Sequence, residues 1–162
     1  AIALGAETKR SLPAPSLLAN AATAAGLSST YALNGTGLDE NGVVSGGYGS
    51  AQDVAILAGA VLERARAIAE ATTKPTVTIS SLSGNTFTFK NTNPIVNKIP
   101  GLRLSKTGFT DLAGGNLAIV FDASVNHPIA VVVLGSSVEG RFTDTEALIR
   151  ATLSSFVAIP KP

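Results

Sequence analysis

Apolar positions recur at helical spacing from residue 51 onward. Ala51, Val54, Leu57, Ala58, Val61, Leu62, Ala65 and Ile68 fall on one face of a 3.6-residue period. Ser50 stands immediately before them and Asp53 three residues later, which is the pattern of a capped helix N-terminus. One helix is therefore predicted from Ser50 through Ile68, with Glu63, Arg64, Arg66 and Glu70 on its solvated face. Beyond Pro75 the period changes to two. Val77 and Ile79, then Phe87 and Phe89, alternate with polar residues on either side of Ser83-Gly84-Asn85, which reads as a β-hairpin. Residues 102–106 form a further strand candidate. Residues 117–121 and 129–134 are apolar runs of strand length, separated by turn residues around Asn126 and Pro128, as in two adjacent antiparallel strands of a covered sheet.

The two ends are predicted to be helical. After the Pro-punctuated stretch 12–15, Ser16 is placed to cap a short helix with Leu17, Leu18, Ala21, Ala24 and Ala25 on one face, and Gly26 ends it. Near the C-terminus Thr143 and Glu146 make a capping-box pattern ahead of Ala147, Leu148, Leu153, Phe156 and Val157, with Pro160 as the stop. Between the first two helices, residues 34–49 are dense in Gly and Asn and lack an apolar period, so they read as a long ordered loop. Helices flanking a run of antiparallel strands give an α+β fold, with helices packed on the sheet.

Composition narrows the function classes. The 162 residues are 45% hydrophobic, which suffices for one sizeable core, and the chain is read as a single partial domain over 1–162. Twelve basic residues against eleven acidic ones leave no electrostatic footprint for nucleic acid. Cysteine is absent, so no disulfide framework or thiol nucleophile exists, and with a single histidine the chain offers no transition-metal ligand set and implies no cofactor. His127 precedes Pro128 in a turn, a poor setting for a Ser-His-Asp triad. Residues 1–6 are apolar but too few for a signal segment, and no apolar run approaches the ~20 residues that span a bilayer. Asp39, Asp53 and Asp111 read as turn and cap residues, and Asn91 and Asn93 as partners of loop backbone.

One tripeptide carries chemistry. Lys106-Thr107-Gly108 is a K-T-G, one member of the set that active-site serine enzymes acting on β-lactams share with S-x-x-K and S-x-N or S-D-N. Alone it is weak, but Ser105-Lys106-Thr107-Gly108-Phe109-Thr110-Asp111-Leu112-Ala113-Gly114 resembles the KTGxTxxAG signature of the penicillin-binding D-alanyl-D-alanine carboxypeptidases. Further matches occur in the same order along the chain. Thr36-Gly37-Leu38-Asp39 resembles the family's TGLD loop, Ser50-Ala51-Gln52-Asp53-Val54-Ala55 its S-A-x-D-x-A helix start, Asn91-Thr92-Asn93 its N-x-N, and Gly140-Arg141 its terminal GR. The resemblance implies an incomplete transpeptidase-like domain of the penicillin-binding-protein and β-lactamase type, exported to a bacterial cell envelope. It also implies that Lys106, Thr107, Gly108 and Arg141 bind substrate, and that the backbone N–H of Phe109 contributes to an oxyanion hole.

That chemistry suits a peptide ending in D-Ala-D-Ala. A cation must hold the terminal carboxylate and an oxyanion hole must hold the tetrahedral intermediate. Lys106 supplies a point charge, Thr107 a hydroxyl, and Gly108 leaves room for an extended peptide along the strand edge, while the Arg141 fork fits a carboxylate bidentately. The plain alternatives are an edge-strand lysine that blocks aggregation and a surface arginine near a helix start.

The resemblance also exposes a gap. No serine is followed three residues later by lysine, and residues 1–5 resemble the segment just after the family's S-x-N. Ser83-Gly84-Asn85 spells S-x-N but sits in the hairpin turn. Three readings follow: a serine carboxypeptidase part that supplies the substrate-binding strand, a non-catalytic module that binds cell-wall peptide, or an inactive fragment. The expected partners are a peptidoglycan peptide, and a second copy or a chain bearing the missing segment that would cover an exposed apolar surface.

Overall fold

The computed structural model describes residues 14–157. The expectations placed on residues 1–13 and on Pro160 lie outside the described residues. A first helix, α1 (Ala14–Ala24), begins two residues before Ser16. Pro15 in its first turn explains the difference, because the amide that proline lacks has no intrahelical partner there. Gly26 ends α1 as expected: its φ is +73°, Gly26 N–H donates to Thr23 O (3.0 Å) and Leu27 N–H to Ala22 O (2.9 Å), a Schellman closure. The following loop is ordered. Tyr31 and Ala32 (β1, Tyr31–Ala32) pair antiparallel with Tyr48 and Gly47 (β2, Gly47–Tyr48), closing its neck. Inside it, Asn34 Oδ1 accepts from Thr36 N and Gly37 N, and Asn34 Nδ2 donates to Leu38 O.

Ser50 is the N-cap of α2 (Ala51–Arg64), its hydroxyl accepting from Asp53 N at 3.1 Å. The single helix expected through Ile68 is broken at Ala65 (φ −137°, ψ 47°), and α3 (Arg66–Ala71) restarts beyond it. Local propensity gives no reason for the break. Packing does: the new direction seats Ala69, fully buried, against Leu104 and Val120, and carries Thr72 to a strand edge.

The hairpin forms as predicted. β3 (Thr76–Ser80) pairs with β4 (Thr86–Lys90) in the register Val77↔Phe89 and Ile79↔Phe87, and Gly84 takes the positive φ of the turn, +84°. After a 3₁₀ turn (Val96–Lys98) come three antiparallel strands, β5 (Leu102–Thr110), β6 (Gly114–Asp122) and β7 (Pro128–Ser136), in the spatial order β5-β6-β7. They extend beyond the apolar runs, since backbone pairing continues through polar residues such as Asn116 that the runs exclude.

The sheet is covered on both faces. Leu117, Ile119 and Phe121 point to one face and pack with Ile95, Ile99, Val131, Phe142 and Ile149. Val120 points to the other and joins Leu104, Ala58 and Ala69. This is the alternation a doubly covered strand must show. The last helix, α4 (Gly140–Val157), supplies Phe142 and Ile149, and it starts three residues before Thr143. Ser137 rather than Thr143 provides the cap oxygen, Ser137 Oγ accepting from Gly140 N at 2.8 Å. The chain turns into the helix directly from β7, so Thr143 is already helical and donates back to Gly140 O. Among the described residues four helices and antiparallel strands make the fold α+β, as expected.

Candidate functional site

The K-T-G lies on β5, which among the described residues is an edge strand of its sheet. Ser105 N–H donates to Thr72 Oγ1 (2.9 Å) and so faces away from β6. Backbone groups alternate sides along a strand, and β5 runs in unbroken register from Leu104 to Thr110, so the N–H groups of Thr107 and Phe109 face the same outer edge. Lys106 is exposed and its ammonium donates to Thr107 O on that edge. Gly108 is not in the left-handed region, and a Cβ built there would meet only Asn116 Cβ, at 3.6 Å.

A groove of about 340 Å³ runs along this edge. Lys106 and Thr107 both line it, with Ser105, Thr72, Lys90 and Thr92 among their neighbours. The two K-T side chains do not point the same way, since consecutive strand residues face opposite sides. Lys106 is exposed, whereas Thr107 is only 8% exposed and its hydroxyl lies within hydrogen-bonding distance of Thr92 Oγ1.

Arg141, at the start of α4, is brought to the same strand from the other side. Its Nη1 donates to Gly108 O at 2.8 Å, the guanidinium lies 4.7 Å from the Phe142 ring centroid, and Nε is buried without a partner among the described residues. The surface-arginine alternative is thereby excluded, because the side chain is buried against β5. Arg141 is not among the residues lining the Lys106–Thr107 groove.

The edge is held by a polar frame. Asn91 Nδ2 donates to Thr72 O (2.7 Å) and Lys74 O (2.9 Å), and Asn91 Oδ1 accepts from Asn93 N (2.9 Å). Asn93 is buried, with Nδ2 donating to Ser105 Oγ (2.9 Å) and Oδ1 accepting from Ile95 N (3.0 Å). Both asparagines thus bind loop backbone as expected, and Asn93 binds β5 as well. Thr72 had no signal in the sequence, because its role depends on the break at Ala65.

Asp39 and Asp53 hold chain segments together. Asp39 reaches across to the β5–β6 turn, Oδ2 accepting from Leu112 N at 3.2 Å, while Oδ1 is buried without a partner among the described residues. Asp53 Oδ2 accepts from Ser29 N (2.7 Å) and Thr30 Oγ1 (2.8 Å). These bonds, that of the Thr30 hydroxyl foremost, hold the Asp53 carboxyl below its ordinary value against the opposing effect of burial. Ser83 is exposed in the hairpin turn with its hydroxyl on Ser81 Oγ, away from the groove. His127 is exposed in the β6–β7 turn, its Nδ1 near Val125 O and its ring edge-on to Phe156.

Comparison with known proteins gives the arrangement its relatives. No curated protein matches the chain. Penicillin-binding protein D2 from Listeria monocytogenes, solved with ampicillin bound, is similar at 29% identity and a TM-score of 0.72, over 90% of this chain and 55% of that one. A D-alanyl-D-alanine carboxypeptidase from Mycobacterium tuberculosis shares the fold at 21% identity and a TM-score of 0.72, over 91% and 55% of the two chains. A peptidoglycan synthesis regulatory factor from Streptococcus pneumoniae does so at 24% identity and a TM-score of 0.70, over 93% and 44%. The chain therefore spans about half the length of these relatives. The family model described as D-alanyl-D-alanine carboxypeptidase matches residues 16–138, most of the chain and the whole K-T-G strand. On that match, the protein belongs to the D-alanyl-D-alanine carboxypeptidase family.

Proposed function

We propose that this chain supplies the carboxylate-holding strand of a serine-type D-Ala-D-Ala carboxypeptidase that trims peptidoglycan stem peptides in a bacterial envelope. Residues 1–162 act as a single partial domain. The observation that carries the proposal is the outer edge of β5, where the Thr107 and Phe109 N–H groups face the same way beside the exposed Lys106, whose ammonium rests on Thr107 O. An extended peptide adds to such an edge through its backbone. Its terminal carboxylate then lies at the strand edge where Lys106 and Thr107, from opposite faces of β5, both line the groove, and the Phe109 N–H is one donor to the oxyanion. Gly108 supports the same reading, since neither a positive φ nor crowding by this chain calls for glycine there. Arg141 fixes Gly108 through its carbonyl, and to bind the substrate carboxylate as well its side chain has to leave this buried position.

The acyl-transfer step needs a serine activated by a neighbouring base, and no serine in these residues has a lysine three positions on. In this proposal the S-x-x-K and S-x-N elements come from outside the 162 residues, on the same polypeptide or on a partner that also covers the exposed apolar side chains of the hairpin. A binding module without catalysis is the second reading, favoured by that same absence. Two measurements on this chain test the proposal. An N-acetyl-D-Ala-D-Ala dipeptide should shift the amide NMR signals of Lys106–Phe109, and its C-terminal amide should not. Intact-mass spectrometry after incubation with penicillin should show no covalent adduct. An adduct on any serine, or amide shifts equal for acid and amide, refutes the assignment.

A further inference from the structure

We infer that Thr92 is a positioning residue that fixes the Thr107 hydroxyl and turns its proton toward an anion in the groove. The ligand half of this inference rests on the carboxylate reading above, and the orientational half stands without it.

The frame around Thr92 is rigid where it matters. Asn91 N–H donates to Pro75 O (2.8 Å), its side-chain amide ties α3's end to the segment, and Asn93 anchors the other side to Ser105 and Ile95. Thr92 is therefore held between two pinned neighbours. Thr92 is exposed, Thr107 is 8% exposed, and both line the groove. The contact between them is hydroxyl to hydroxyl.

Two hydroxyls in contact share one O–H between them and leave one O–H over. With an anion in the groove the favoured arrangement runs in one direction: Thr92 donates to Thr107, and Thr107 donates to the anion. Each bond in such a chain polarises the next. Without the Thr92 oxygen, the Thr107 methyl and hydroxyl groups can exchange wells, and part of the population presents a methyl group to the ligand. Neither residue shows this role in the sequence, since Thr92 and Thr107 are fifteen positions apart.

The test uses the isotope-labelled full chain and its Thr92→Val, Thr92→Ser and Thr92→Ala variants. Three-bond couplings from Thr107 Cγ2 to its N and C′ report χ1 without any ligand. In the wild type and Thr92→Ser they should give one rotamer; in Thr92→Val and Thr92→Ala they should be averaged. Thr92 is exposed, so all variants should fold, and unchanged amide dispersion elsewhere checks this. The affinity for N-acetyl-D-Ala-D-Ala should fall roughly fivefold in Thr92→Val and recover in Thr92→Ser, as for one lost hydrogen bond. A single unchanged Thr107 rotamer in Thr92→Val overturns the inference, as does unchanged affinity in a variant whose rotamer is averaged. Averaged couplings in Thr92→Val, with no dipeptide binding by any form, uphold the positioning role and refute the carboxylate reading.

Discussion

In β6, Leu117, Ile119 and Phe121 are at most 1% exposed, whereas in the β3–β4 hairpin Ile79, Phe87 and Phe89 keep 52%, 47% and 56% of their surface. Both regions carry apolar side chains at period two and both pair antiparallel, the hairpin in unbroken register and β6 with one register shift against each neighbour. The difference lies in what arrives afterward. α4 brings Phe142 and Ile149 to one face of β6 and α2 brings Ala58 toward the other, while the hairpin packs mainly on itself. Alternation in a sequence therefore specifies a strand, and helices elsewhere in the chain decide whether its apolar face becomes core. β5 stands at the border between these regions: one edge belongs to the buried sheet, and the other opens onto the groove that Val77 and Phe89 help to line.

The comparison breaks most clearly in the core. Phe121→Ala should destabilise the chain by about 3–5 kcal/mol, because it removes a large buried ring and leaves a cavity that helices on both faces prevent from collapsing. The equivalent truncation in the hairpin, Phe87→Ala, should change stability by less than ~1 kcal/mol. Urea unfolding of the two variants measures both. Equal losses would mean that the hairpin face is buried in solution, by a second copy or otherwise.

A smaller effect is expected at the seam. Asn93→Ala leaves the Ser105 hydroxyl and the Ile95 N–H without their partners in a buried site, a loss of roughly 2 kcal/mol. The same variant should increase hydrogen exchange at Ser105–Thr107 more than at Ile119–Phe121, which locates the damage on the open strand.

Next in size are the caps of α2. Ser50→Ala should cost about 1 kcal/mol in the same unfolding measurement. Asp53 adds a pH dependence whose sign follows from its lowered pKa. Its carboxylate contributes stability that is fully present above the unfolded value and is lost as pH falls through the folded one, so the loss falls below about pH 3.8. Asp53→Asn should flatten the acid limb of a stability–pH profile and lower stability at neutral pH. An unchanged acid limb would place the responsible carboxylate elsewhere.

How much of this was legible depended on the range of the interaction. The Ser50–Asp53 cap, the Gly84 turn and the strand alternation are set within a few residues, and each formed where the sequence placed it. The break at Ala65 and the cap at Ser137 were not legible. Both are fixed by where a helix must land, against Leu104 and Val120 in one case and directly after β7 in the other. The site divides the same way. Lys106-Thr107-Gly108 was found as a local word, while Thr72, Thr92 and the Arg141–Gly108 bond are contacts between segments fifteen or more residues apart, with no local pattern to mark them.

The smallest stability effect is predicted at Gly108, and it separates fold from function. Glycine in a strand interior ordinarily weakens it, through the extra freedom of the unfolded chain and the missing side chain. At Gly108 the backbone lies outside the left-handed region, and an added Cβ would make one ordinary contact, with Asn116 Cβ at 3.6 Å. Gly108→Ala should therefore leave stability unchanged or raise it by up to about 1 kcal/mol, since alanine has fewer unfolded conformations to lose. A peptide lying along the outer edge of β5 would meet the new methyl group, so the amide shifts induced by N-acetyl-D-Ala-D-Ala should weaken in the same variant. Gly108→Ala has to be measured for both properties on one preparation. A stability loss above ~1 kcal/mol would show that the glycine serves the sheet, whereas full peptide binding by a stable variant would move the peptide off this edge.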